Sequence, residues 1–172
     1  MSSAPPKTLL FVCTGNTCRS PMAERLAASL CAGMPDWHFA SAGVFASPGE
    51  PASPLAVDAL RERGIPLEDH KARALSPNMV READHVVAMT AGHRELIRNM
   101  APDISKEKLH LLHGFDPQKP DADVMDPFGG TLDTYRMARD DIESALSNLI
   151  LALIRPPPHQ KTAPNTEGNT HS

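Results

Sequence analysis

A cysteine and an arginine separated by five residues, in Cys13-Thr14-Gly15-Asn16-Thr17-Cys18-Arg19-Ser20-Pro21, are the residues of this chain best arranged to do chemistry. They follow the apolar run Lys7 to Val12 and precede Ser20-Pro21, which offers a helix N-cap followed by proline at the first helical position. A loop of this length between strand and helix can curl so that its backbone N–H groups point inward. The helix adds its positive N-terminal end, and together they form a nest for a dianion. Thr14, Gly15, Asn16, Thr17, Cys18 and Ser20 are the candidate phosphate-binding residues. Arg19 supplies a planar fork of donors that can grip two phosphoryl oxygens at once. The same field favours thiolate over thiol at Cys13, which sets a nucleophile beneath phosphorus. Ser20 either caps the helix or donates a hydrogen bond to that thiolate.

The second half of the chemistry is an acid, because a poor leaving group does not depart from phosphorus without a proton. Asp126 is the candidate. Pro127 pushes it away from helical geometry and presents it on a long loop between the last strand and the last helix.

Elements that alternate strand and helix must position these groups. Lys7 to Val12 reads as a strand buried on both faces, and the helix after Ser20-Pro21 shows Met22, Ala23, Leu26, Ala27 and Leu30 on one face. Trp37 to Ala42 predicts a second strand. Ser53-Pro54 opens a helix to about Arg63, and Ser76-Pro77 opens another through Ala83. Asp84 to Met89 is a third strand, Thr90 caps a helix from Ala91 to about Asn99, and Leu109 to Leu112 is a fourth strand. Gly114 to Gly130 is a turn-rich loop. Tyr135, Ile142, Leu146, Leu149, Ile150 and Leu153 share one stripe of a final helix from about Thr131 to Ile154. The pattern predicts an open parallel α/β sheet, with ligands bound beyond the C-terminal ends of its strands.

The chain of 172 residues has the length of one domain, and 41% hydrophobic with 22% charged residues excludes a wholly disordered or coiled-coil chain. The expected division is a flexible N-terminus over 1–6, one folded domain over 7–155 and a disordered, proline-rich polar tail over 156–172. The 17 Lys and Arg against 21 Asp and Glu give a net charge of −4, no bulk field for nucleic acid, so any anion is held by a local site. No apolar run is long enough to span a membrane and residues 1–7 lack a signal-peptide pattern, so a cytoplasmic address is expected. Three cysteines, Cys13, Cys18 and Cys31, make a poor disulfide framework and are expected reduced. Cys18, on the same curved loop as Cys13, is a possible redox partner in an intraloop disulfide or else a small packing residue. His110 and His113, three apart on a strand, would point to opposite faces and make no metal pair. No metal and no cofactor are expected.

The motifs Cys13-x5-Arg19-Ser20, Ser41-Ala42-Gly43 and Asp126-Pro127 resemble those of the low-molecular-weight protein phosphatases, over roughly Lys7 to Arg155. The resemblance implies a three-layer, flavodoxin-like fold with a four-stranded parallel sheet. It implies Cys13 as nucleophile, Arg19 as phosphoryl clamp, Asp126 as general acid, and phosphorylated proteins as substrates of a monomeric enzyme. Members acting on phosphotyrosine generally carry isoleucine where this chain has Thr17. The loop Thr14-Gly15-Asn16-Thr17-Cys18-Arg19-Ser20, the run Ser41 to Pro48 and Asp126-Pro127-Phe128-Gly129-Gly130 are similar to the bacterial protein-arginine-phosphatase branch. Thr17 and Phe128 are therefore the expected selectivity residues. A threonine hydroxyl offers a polar partner near a leaving guanidinium, and Phe128 before two glycines would leave one aromatic wall, which suits a slender planar cation. The alternative is a protein-tyrosine phosphatase. Arsenate reduction on the same fold needs resolving cysteines downstream, and none follows Cys31. A phosphate-binding or redox-sensing module without turnover would not need nucleophile, clamp and acid together.

Overall fold

A computed structural model describes residues 4–155; the proposed tail over 156–172 and residues 1–3 lie outside the described residues. The strands are β1 (Lys7–Cys13), β2 (Trp37–Gly43), β3 (His85–Ala88) and β4 (Leu109–Leu111). All pair in parallel, in the order β2-β1-β3-β4. The helices are α1 (Arg19–Leu30), α2 (Pro54–Arg61), α3 (Pro77–Glu82), α4 (Ala91–Met100) and α5 (Leu132–Leu149). This is the three-layer α/β/α arrangement expected from the sequence.

Alternation along β1 divides the core. Leu9, Phe11 and Cys13 face a cluster with Met22, Leu26, Leu60, Tyr135, Ile142 and Leu146, contributed by α1, α2 and α5. Leu10 and Val12 face the opposite cluster, with Val80 of α3 and Ile97 of α4. A period of two sends successive side chains to opposite faces, so Cys13 closes the row that points to α1 and α5. β1 pairs with β2 on one side and β3 on the other, and α1, which follows β1, packs on one face while α4, which follows β3, packs on the other. The C-terminal end of β1 is therefore the topological switch point where such sheets open a crevice.

Three local expectations are corrected. α1 begins at Arg19, with Cys18 at the N-cap position, so Ser20 lies inside the first turn and does not cap it. His113 lies beyond β4, in a short 3-10 turn over Leu112–Phe115, so it and His110 do not share a strand; its Nε2 meets Asp141 Oδ2 at 2.9 Å. The last helix is α-helical to Leu149 and then widens into a π turn over Ile150–Ile154, where the Arg155 N–H reaches Ile150 O at 2.7 Å.

Candidate active site

The segment Thr14 to Cys18 forms a cradle at the end of β1 because its carbonyls are drawn outward. The carbonyl of Cys13 accepts from Val44 N–H and that of Thr14 from Phe45 N–H, both at 2.9 Å. Asn16 O accepts from His70 Nε2 at 2.7 Å, Thr17 O from Ser53 N–H at 2.9 Å and Cys18 O from Met22 N–H at 3.2 Å. These bonds commit the carbonyls of Thr14, Asn16, Thr17 and Cys18 and leave the loop amides as the groups available to an anion. Among the described residues, none of the N–H groups of Thr14 to Cys18 donates to another protein group. Arg19 is the first residue of α1, so the positive helix end joins the same cradle.

Asn16 ties the loop to its surroundings and orders the site around Cys13. It is fully buried and adopts the left-handed conformation, φ 55°, that asparagine tolerates better than most residues. Its Nδ2 donates to Ser20 Oγ at 2.8 Å and to Ser41 Oγ at 2.9 Å, and its Oδ1 accepts from Arg73 N–H at 2.9 Å. Ser41 Oγ in turn donates a hydrogen bond to Glu24 Oε1 at 3.0 Å. Because Ser20 accepts from Asn16, its hydroxyl proton is free to point at Cys13 Sγ, 2.9 Å away. A hydrogen-bonded chain thus reaches the sulfur, with Ser20 placed where it can donate to Cys13. Gly43 lets β2 approach this closely, since a Cβ there would come within 2.5 Å of Thr14 O.

The Asp126 loop is fastened to the same strand ends. Val124 N–H donates to Met89 O at 2.9 Å, just past β3, and Asp123 Oδ1 accepts from Ala91 N–H at the start of α4 at 2.8 Å. Arg19 Nη1 donates to Val124 O at 3.1 Å, and its Nη2 lies 3.6 Å from Asp126 Oδ2. The guanidinium is buried, whereas the Asp126 side chain is 54% exposed. Asp126 Oδ1 accepts from Phe128 N–H at 3.1 Å, which fixes the carboxylate at the turn. Gly130 permits the tight return into α5, where a Cβ would meet Pro127 O at 2.9 Å.

These parts surround a cavity of about 250 Å3 with Cys13, Thr14, Gly15, Thr17, Cys18, Arg19 and Asp126 in its wall. Phe45, Ser47, Glu50 and Phe128 complete the lining. Phe45 is 71% exposed and Phe128 76%, so the expectation of a single aromatic wall is corrected: the loop after β2 contributes a second ring. Asn16 and Ser20 do not line the cavity and act from behind the loop. Cys18 is buried; its Sγ is 3.4 Å from Tyr135 Oη and 3.7 Å from Thr17 Oγ1. Burial pushes its thiol up from the ordinary value, and burial likewise raises Tyr135, which also contacts Ser53 Oγ at 2.9 Å, to about 12. Both remain protonated near neutrality. No disulfide joins the three cysteines.

One contact group went unmarked in the sequence. His93 Nε2 meets Thr14 Oγ1 at 2.8 Å and His93 Nδ1 meets Thr90 Oγ1 at 3.0 Å. Burial, and then the positive charge of Arg19, lower its pKa to about 4, so the imidazole is neutral. Thr90 also accepts the His93 N–H at 3.1 Å as the cap of α4. The only local signal was Thr90 three residues before a histidine. The residues His70, Arg73 and Glu50 carried none, and Phe45 was marked only as part of the Ser41 to Pro48 run.

A strand-turn-helix cradle brings together a buried thiol, a guanidinium and a carboxylate at the sheet's switch point, an arrangement chemically suited to a phosphoryl group. Residues 8–158 match the family described as low molecular weight phosphotyrosine protein phosphatase, and the chain belongs to that family. A protein-arginine-phosphatase of Geobacillus stearothermophilus is 42% identical over 144 residues, covering 84% of this chain and 94% of that protein. The solved structure of the YwlE arginine phosphatase from the same organism superposes with a TM-score of 0.78 at 42% identity, covering 86% of this chain and 93% of that one. A structure of YwlE with its cysteine replaced by serine, and that active-site serine phosphorylated, has a TM-score of 0.78 at 40% identity and covers 86% of this chain and 97% of that one.

Proposed function

We propose that this chain removes phosphate from arginine residues of proteins through a cysteinyl-phosphate intermediate. In the first step the Cys13 thiolate attacks phosphorus, an S–P bond forms and the P–N bond breaks, and Asp126 gives a proton to the departing guanidino nitrogen. In the second, water attacks phosphorus while the Asp126 carboxylate takes its proton; the S–P bond breaks, releasing inorganic phosphate and the thiolate. Arg19 and the inward amides hold the phosphoryl oxygens in both steps and favour the charge that builds on them. The observation that carries this reading is the hydrogen-bonded chain from Asn16 through Ser20 to Cys13 Sγ beside those amides. The phosphorylated serine in the cysteine-replaced relative supports a covalent phosphoenzyme.

Arginine as the phosphorylated residue is supported by the name of the Geobacillus stearothermophilus relative, given alike to its sequence and to its solved structure, and by Thr17 in the cavity wall. A second reading, phosphotyrosine, is favoured by the two exposed rings of Phe45 and Phe128 in the cavity wall, which offer aromatic contact to a phenol. Turnover on arginine-phosphorylated and tyrosine-phosphorylated proteins separates them. We expect wild type to prefer phosphoarginine and Thr17→Ile to move the preference toward phosphotyrosine; the same preference in both variants would refute the role of Thr17. The reading carries with it the expectation of a cytoplasmic monomer.

A further inference from the structure

The cavity has a floor that suits an anion and a rim that does not. Cys13, Arg19 and the amides of the loop lie at the buried end of β1, but Glu50 and Phe45 stand exposed on the segment between β2 and α2. That segment is held by its backbone. Phe45 N–H donates to Thr14 O at 2.9 Å, Gly49 N–H to Ala72 O at 2.9 Å, and Ala72 N–H to Glu50 O at 2.8 Å. Pro51 and Lys71 form an antiparallel bridge beside it. The side chains, in contrast, are uncommitted: among the described residues Glu50 makes no ion pair, while Asp126, the other carboxylate of the lining, faces Arg19.

An unpaired carboxylate beside a phosphate pocket repels a bare phosphorylated ligand and any acidic neighbour, so it discriminates in favour of a substrate that brings its own cation. The cavity of about 250 Å3 admits one phosphorylated side chain; the substrate's main chain must cross the mouth. Side chains next to the phosphorylated residue then pass over Phe45 and Glu50. An aromatic face beside a carboxylate is the chemistry that receives an ammonium or guanidinium group. We infer that Phe45 and Glu50 form a rim subsite that selects phosphorylated segments carrying a lysine or arginine beside the modified residue. This rests on the phosphatase reading above and adds the substrate's neighbouring charge to it.

The test uses peptide pairs identical except that the residues flanking the phosphorylated one are Lys in one member and Glu in the other. The pairs are made with phosphoarginine and with phosphotyrosine, and the ratio of kcat/KM within a pair is measured for wild type, Glu50→Gln and Glu50→Lys. For whichever phosphorylated residue wild type hydrolyses, we expect the Lys member to be favoured by about three- to ten-fold, the range for a partly exposed charge pair. The ratio should approach one in Glu50→Gln, reverse in Glu50→Lys, and shrink as ionic strength rises. A wild-type ratio near one would overturn the inference. So would a Glu50→Gln variant that slows both members equally and keeps their ratio, because Glu50 would then be holding the modified residue itself. Wild type that turns over neither phosphorylated residue would remove the phosphatase reading and the subsite with it.

Discussion

The floor and the rim of one cavity are built on opposite plans. On the floor, Asn16 uses both amide protons and its carbonyl oxygen, the carbonyls of Thr14, Asn16, Thr17 and Cys18 are bonded, and Ser20 Oγ is held between Asn16 and Cys13. At the rim, Phe45, Glu50 and Phe128 project from backbone that is pinned while their side chains stay open to solvent. The difference teaches where the work is divided. Orientation of a thiolate under phosphorus requires groups that cannot move, whereas reading a protein surface requires groups with unspent capacity for contact. Changes to the floor should therefore stop reaction on every phosphate ester or amide, and changes to the rim should alter only which ones are chosen.

The largest expected effect tests that division from both sides. Gly43→Ala drives a Cβ against Thr14 O and shifts the loop, so kcat/KM should fall by about 10^2-fold, the scale for displacing a reacting group by about 1 Å. The loss should be the same on a small aryl phosphate and on a phosphoprotein. Phe128→Ala should leave kcat in place and raise KM for phosphoproteins by up to about ten-fold, or about 1.4 kcal/mol. Steady-state kinetics on both substrates check the pair. A Gly43→Ala variant selective in its damage, or a Phe128→Ala variant that loses kcat, would break the comparison.

A smaller effect concerns the imidazole that joins α4 to the floor. His93 is held at about 4 against an ordinary 6.5 because the fold buries it beside Arg19. The unfolded chain binds the proton that the folded one refuses. The stabilising contribution of the neutral ring is therefore complete above about pH 6.5 and is lost as the pH falls from there toward 4. Burial lowers His110 to about 4 as well, and His85 in the same direction, so acid lability has more than one source. Thermal unfolding of wild type and His93→Asn between pH 7 and pH 5 isolates the share of His93. The loss of Tm on acidification should be smaller in the variant; equal losses would show that His93 is not a neutral member of the floor.

The floor was more legible in the sequence than the rim, where Phe128 was singled out but Glu50 was not, for physical reasons. Cys13, Arg19 and the amides between them are local: a strand, a short loop and a helix start fix their relation within a few residues, and Pro127 marks Asp126 as a loop residue. The apolar periods of β1 and α5 sufficed to orient them. The start of α1 misled because Ser20-Pro21 has the composition of a cap, yet Ser20 is occupied by Asn16 and Cys13, and the loop's own last residue takes the cap position. His70, Arg73 and His93 reach the loop across 54 to 79 positions of chain, and nothing in their neighbours records that. Phe45 and Glu50 become wall residues only through backbone hydrogen bonds to Thr14 and Ala72, which no periodicity encodes.

Covalent phosphate on Cys13 is the most direct measurement of the central claim. With an aryl phosphate whose leaving group needs no proton, Asp126→Asn should slow chiefly the second step, so acid quenching during turnover and mass spectrometry should find the phosphoryl group on the peptide that contains Cys13. Cys13→Ser should show no comparable turnover. Continued turnover with no phosphate on Cys13 at any quench time, or with phosphate on a different residue, would contradict the account.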